Sequence, residues 1–214
     1  FIITGGTGGH VIPAVNFFNY IDSKIENVYL LTDKRGSKYI KNINENNIFK
    51  IHSSHLSGNI FFKLKSLIIL FFSFFKSLIL FFKIKPQKCI SFGSYATFMP
   101  LLSILILKFL FKIKIYLHEQ NTIIGKVNLF FLPYSEYIFS NFDNINNLDK
   151  KYLHKKIHAG LPSNLKLENQ YLKPQTIRDK KIIFLYGGSQ GSIPLLNILL
   201  LLLKNIDKNF LKEI

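Results

Sequence analysis

The chain has 214 residues, 48% of them apolar and 15% aromatic, which excludes wholesale disorder and leaves room for one large domain and part of another. Its single cysteine, Cys89, excludes an internal disulfide framework. The formal charge of +16 has two readings: attraction to nucleic acid, an anionic membrane surface or a phosphorylated substrate, or lysines that merely keep an Ile-, Asn- and Phe-rich chain in solution.

The chain opens on Phe1 inside a strand-like run, IIT (2–4), without the basic start and long apolar stretch of a signal peptide, and is expected to be a fragment. GGTGGH (5–10) follows, then a helical run, VIPAVNFFNYI (11–21). A strand leading through glycines into a helix aims unpaired amides and the positive helix end at one point, where phosphate oxygens fit. The spacing is not a Walker loop, since no GK[ST] follows. It is not the dinucleotide fingerprint either, because Val11 stands where the third glycine belongs. A tight turn without ligand is the plain alternative. His10, in the first turn of that helix, has the chemistry of a general base or of a simple phosphate donor, and an isolated histidine is more often structural.

NVYLLTD (27–33) reads as the second strand, and KCISF (88–92), KIYLHE (114–119) and EYIFS (136–140) as later ones. Strands alternating with helices predict an α/β fold with a parallel sheet, whose chemistry gathers at the strand C-terminal ends. Between them, FFKLKSLIILFFSFFKSLILFFKIKP (61–86) is the most apolar segment. As a transmembrane span it is interrupted by Ser73, Lys76 and Ser77. An interfacial amphipathic helix with Leu67, Ile68, Phe71, Phe74, Phe75 and Lys76 at the membrane accounts for lysines among Leu, Ile and Phe. A core helix with buried phenylalanines is the other reading. MPLLSILILKFLFKIK (99–114) is a similar stretch that could share one membrane-facing patch.

Two further polar loops follow strands. FGSYATFMP (92–100) contains Gly93 and Tyr95, and YLHEQNTIIGKVN (116–128) contains His118, Glu119, Gln120 and Asn121. Residues 1–162 are expected to form a first Rossmann-like domain, 163–180 a polar linker, and 181–214 the incomplete start of a second such domain. That second unit opens with KIIFLYGGSQGS (181–192), a repeat of the strand–glycine–helix grammar.

GGTGGHVIPA, KPQKCISFGSYAT, LHEQNTIIGKVN and YGGSQGSIPLLN, in this order, resemble the MurG-type UDP-GlcNAc:lipid I N-acetylglucosaminyltransferases of bacterial peptidoglycan synthesis, across essentially the whole chain. The resemblance implies a GT-B architecture of two Rossmann-like domains. It also implies inverting, metal-independent transfer from UDP-GlcNAc to lipid I (undecaprenyl-pyrophosphoryl-MurNAc-pentapeptide), with no cofactor. Attachment would be peripheral, to an anionic membrane surface on the cytoplasmic side of the inner membrane; nucleic acid is not an implied partner.

Residue by residue, the resemblance makes Thr7, Gly8 and Gly9 a loop near the diphosphate and His10 the base for the accepting hydroxyl. Gly93 and Tyr95 shape the acceptor side. Asn121 becomes a donor-sugar contact, and Glu119 a polar orienter or alternative base. Gly188, Ser189 and Gln190 would meet the donor phosphates. The chain departs from the pattern at Asn164, where an arginine is expected, and at Ser94 and Phe98, where glycines are. Two rival classes stand beside this one: a nucleotide-binding oxidoreductase domain, with Asp33 as its ribose-reading acid, and a non-catalytic membrane-binding remnant.

Overall fold

The computed structural model describes residues 1–54, 58–163, 185 and 192–205. The chain divides into two compact units, Phe1–Asn164 and Leu165–Ile214. In the second, the described residues form one helix, α5 (Ile193–Asn205).

The first unit is a seven-stranded sheet: β1 (Ile2–Ile3), β2 (Leu30–Asp33), β3 (Ile48–Ile51), β4 (Lys88–Ser91), β5 (Lys114–Glu119), β6 (Tyr137–Ser140) and β7 (Lys156–His158). Every neighbouring pair is parallel, and the strand order is β3-β2-β1-β4-β5-β6-β7. Ile2 therefore pairs with Leu30 on one side and Ile90 on the other. The chain winds outward from β1 to β3, returns across the sheet, and winds outward again from β4. That reversal sets the C-terminal ends of β1 and β4 side by side, the place where doubly wound sheets hold their ligands.

Strand alternation sorts the core onto two faces. Ile2 and Leu30 meet Val11, Ala14, Val15 and Phe18 of α1 (Gly8–Asp22) on one face. On the other, Ile3 and Leu31 join a larger cluster with Phe81 of α2 (Ile60–Ile84), Leu101 and Ile104 of α3 (Phe98–Leu107), and Val127 and Phe131 of α4 (Lys126–Phe131). The edge strands β3 and β7 were not legible as strands. They are only partly buried and carry Lys50, Lys156 and His158, so neither shows the apolar run of a central parallel strand.

The helix α2 has clear ends. The Asn59 side chain accepts the Phe62 amide at 3.1 Å, and Lys85 closes the helix in the left-handed conformation (φ 49°) just before Pro86. Its interior is inverted relative to an ordinary amphipathic helix. Ser66, Leu70, Ser73, Ser77 and Phe81 are buried at helical spacing, whereas Phe61, Phe62, Leu67, Ile68, Phe71, Phe72, Phe75 and Phe82 are exposed. Small serines let α2 lie close to α3, and the Ser103 hydroxyl of α3 donates to the Phe74 carbonyl at 3.0 Å. Phe81 is buried in the core and Phe74 is half-buried, but the other phenylalanines of α2 face away from the sheet, which counts against a core helix with all its phenylalanines buried. Among the described residues α2 is the one helix long and apolar enough to cross a membrane, with a mean hydropathy of 2.3. The 99–114 stretch is a helix only to Leu107; the chain then turns, exposing Phe109 and Leu110, and Lys114 already begins β5.

Candidate functional site

The glycine loop occupies the end of β1. Gly6 has φ +79°, and a side chain there would strike the Ser94 hydroxyl at 2.7 Å, so the backbone conformation and the close approach both demand glycine. α1 starts at Gly8, earlier than the sequence reading placed it, with Thr7 as N-cap. The Thr7 carbonyl accepts the amides of His10 and Val11. The Gly8 and Gly9 amides make no hydrogen bond among the described residues, the usual condition of a helix start and the one that suits an anion. Gly9 is exposed, Thr7 is half-buried and Gly8 is buried.

A residue outside the predicted set holds this loop. Asp33, at the end of β2 and 1% exposed, accepts the Gly6 and Gly36 amides on Oδ1, each at 2.8 Å. Its Oδ2 accepts from Ser53 Oγ and lies 3.6 Å from Arg35 Nε. Burial pushes the Asp33 carboxyl up, but the Gly6 amide, Ser53, the Gly36 amide and Arg35 together bring it below its ordinary value. In an oxidoreductase an acid at this position reads a ribose. Here both oxygens are spent on the protein itself, which counts against that reading.

His10 reaches from α1 over the end of β4. Its Nδ1 lies 2.9 Å from the Phe92 carbonyl and 2.8 Å from Gln120 Oε1. Gly93, at φ +78°, passes so near that a β-carbon there would stand 3.6 Å from His10 Nδ1 and 3.4 Å from Asn128 Nδ2. Tyr95 is exposed beside it. Of the two departures in this loop, Ser94 takes φ 85°, a conformation suited to glycine, while Phe98 has an ordinary helical φ of −61°.

The end of β5 supplies the opposite wall. Glu119 is 1% exposed and its oxygens take four donors: the Asn121 amide and Asn121 Nδ2 on Oε1, and the Gly125 amide and Asn128 Nδ2 on Oε2. Asn121 is itself exposed. His118 and Gln120, also buried, connect this wall to His10. Gln120 Nε2 lies 3.0 Å from His118 Nδ1, and His118 Nε2 lies 3.0 Å from the Gly160 carbonyl. The His118 ring stacks on Phe92 with centroids 4.8 Å apart. Burial chiefly depresses its pKa, against a smaller upward pull from the Gly160 carbonyl and Glu119. The exit segment is pinned a second time, where Asn16 Nδ2 of α1 donates to the Pro162 carbonyl at 3.0 Å.

The structure therefore brings Thr7, Gly8, Gly9, His10, Gly93, Tyr95, Glu119 and Asn121 to one end of the sheet, around the β1/β4 switch point. The α2 residues lie elsewhere: Leu67, Ile68, Phe71 and Phe75 are exposed, Phe74 is half-buried, and Lys76 turns back to donate to the Lys50 carbonyl of β3 at 2.9 Å. Gly188, Ser189, Gln190 and Asn164 lie outside the described residues.

A doubly wound parallel sheet with a glycine loop, a helix start and an imidazole at its switch point defines a Rossmann-like domain of the kind that binds phosphorylated ligands. Residues 1–140 match the glycosyltransferase family 28 N-terminal domain, and the chain belongs to that family. It is 34% identical over 194 residues to the "UDP-N-acetylglucosamine--N-acetylmuramyl-(pentapeptide) pyrophosphoryl-undecaprenol N-acetylglucosamine transferase" of Rickettsia canadensis, covering 89% of this chain and 52% of that protein. The protein of the same name from Rickettsia bellii is 30% identical, with the same coverage. The crystal structure of Acinetobacter baumannii MurG superposes with a TM-score of 0.66 at 22% identity, over 96% of this chain and 57% of that one. The fold is thus that of the MurG type, and the chain spans about half the length of the curated relatives it matches.

Proposed function

We propose that this chain carries the acceptor-side domain of an inverting, metal-independent N-acetylglucosaminyltransferase that moves GlcNAc from UDP-GlcNAc to lipid I. The observation that carries the reading is His10, held over the β1/β4 switch point beside a glycine loop with unpaired amides. In such a transfer the acceptor hydroxyl oxygen bonds to the anomeric carbon as the bond to UDP breaks, so the configuration inverts and no covalent enzyme intermediate is needed. The hydroxyl proton passes to His10, and the loop amides with the positive end of α1 face pyrophosphate charge. With four donors on its carboxylate, Glu119 suits the orienter role better than that of the base: it shapes the Asn121–Gly125 loop. Gly188, Ser189 and Gln190 enter as the donor-phosphate loop through the family resemblance alone.

Attachment to an anionic membrane surface on the cytoplasmic side of the inner membrane is part of the same proposal. Exposed phenylalanines and leucines on α2, flanked by Lys63, Lys65 and Lys83, offer what an interfacial helix needs: an apolar face with cations at its margin. Such a surface would bring the domain to a lipid-linked acceptor.

The test is transfer of radiolabelled GlcNAc from UDP-GlcNAc to a lipid I analogue, by a chain extended to the length of its relatives. Replacing His10 by Ala should lower kcat by about 100-fold or more while leaving vesicle binding intact. Undiminished turnover in that variant would remove His10 as the base.

A further inference from the structure

A buried hydrogen-bond relay runs from Gly160 through His118 and Gln120 to His10, and its donors and acceptors can be ordered from the far end. The Gly160 carbonyl can only accept, so His118 carries its proton on Nε2. Burial keeps His118 neutral, which leaves Nδ1 as a lone pair facing Gln120. That nitrogen needs a donor, so Gln120 presents its amide nitrogen to His118; the same nitrogen also donates to the His118 carbonyl at 3.0 Å. The amide oxygen of Gln120 then faces His10 Nδ1. The other partner of that nitrogen, the Phe92 carbonyl, is again an acceptor only.

We infer that His118 and Gln120 are positioning residues that hold His10 in the Nδ1–H tautomer, leaving Nε2 bare as the proton-accepting atom. Two acceptors converge on Nδ1, and among the described residues no hydrogen bond reaches Nε2. A ring proton on Nε2 instead would set the Nδ1 lone pair against two oxygen lone pairs in a half-buried site, with no ring donor for either oxygen. The second histidine is thus no second base: its ring is consumed at both nitrogens, and it sets the direction of the chain of bonds. Its anchor, Gly160 at φ +73°, is itself held by the Ser140 carbonyl, which accepts the Gly160 amide at 3.1 Å. The chemical consequence of the tautomer rests on the transferase reading, but the tautomer itself does not.

The decisive measurement is a long-range ¹H–¹⁵N correlation spectrum of the histidine rings in the 214-residue chain, which reports which nitrogen is protonated without any substrate. His10 and His118 should appear as single, opposite tautomers, Nδ1–H and Nε2–H. In Gln120→Leu the second acceptor for His10 and the donor for His118 are both removed, and the Nε2–H form of His10 should become visible. Gln120→Glu keeps an acceptor toward His10 and removes the donor toward His118. It should restore the pure Nδ1–H form at His10 while His118 takes up a second proton at a pH where the parent ring is neutral. His10 protonated on Nε2 or averaged between tautomers in the parent chain, or His10 unchanged by Gln120→Leu, overturns the inference. Loss of transfer activity with the tautomers in place would count against the function and leave the relay standing.

Discussion

Asp33 Oδ1 lies 2.8 Å from the amide of Gly6, so the conformation of the glycine loop is set by a carboxylate on the neighbouring strand. The same oxygen holds the Gly36 amide, and one buried charge therefore ties the β1 and β2 loops together. Asp33→Asn keeps the shape and weakens charge-assisted bonds, and should cost about 2 kcal/mol in urea unfolding at pH 7. The pH dependence has a definite sign. A carboxyl whose pKa is depressed in the folded state contributes stability above its unfolded value of about 3.9, and that stability is lost as pH falls through the folded pKa. The gap between parent and Asp33→Asn should close in strong acid. A gap independent of pH would mean that the charge is not what matters.

Ser94 occupies a conformation, φ 85° and ψ 150°, that ordinary residues avoid, and among the described residues its side chain gains only a 3.4 Å contact from the Ala96 amide in return. Ser94→Gly should raise stability by about 1 kcal/mol, from relief of strain less the larger backbone entropy of glycine. Phe98→Gly, at the other position where a glycine was expected, should instead destabilise, since Phe98 is helical and packs beside Phe130 and Phe131. Thermal unfolding of the two variants separates strain from packing. A fall for Ser94→Gly would show that the loop tolerates serine without cost.

The central strands, the glycine loop, His10 and the HEQN loop were legible because apolar runs followed by glycine or polar residues leave a strong pattern. The contacts that each side chain makes within that set were not. That Glu119 would be saturated by Asn121, Gly125 and Asn128 depends on how the β5 loop folds back, and spacing does not encode that return. Asp33 was visible only as a possible ribose reader, because the partner that decides its role is a backbone amide 27 residues away. On α2 the serines looked like interruptions of an apolar run. They are the packing face, and the only signal for it was their spacing, 66, 73 and 77, on one side of a helix.

That inverted helix yields two opposed predictions. Ser77 Oγ is buried with no hydrogen-bond partner among the described residues, so Ser77→Ala should be neutral or stabilise by up to about 1 kcal/mol. Ser103→Ala removes a hydroxyl that donates to Phe74 and Met99 carbonyls and should cost about 1 kcal/mol. Chemical denaturation of both variants tests the packing face. Equal losses would mean that the serines are not what seats α2 on α3.

The outer face of α2 is tested by vesicles. Phe71, Phe72 and Phe75 are exposed, and each ring that enters a bilayer interface contributes about 1.5 kcal/mol or more. Replacing all three by Ser should reduce co-sedimentation with anionic vesicles by at least about 100-fold, with the unfolding transition retained. Raising salt should weaken the parent's binding through the flanking lysines. Unchanged sedimentation of the triple variant would assign this face to something other than lipid.

His118 gives the chain an acid-side weakness. Its pKa is lowered in the folded state, chiefly by burial, so the unfolded chain binds a proton near pH 6.5 that the native ring resists. Below that pH the unfolded state holds more protons, and native stability falls by up to 1.36 kcal/mol per pH unit until the folded pKa is reached. A glutamine at this position places an amide nitrogen near the site of Nε2 and can still donate to the Gly160 carbonyl. His118→Gln should therefore remain folded and show a shallower loss of unfolding free energy between pH 7.5 and pH 5.5. Identical slopes in the two proteins would mean that the buried ring titrates as freely as an exposed one.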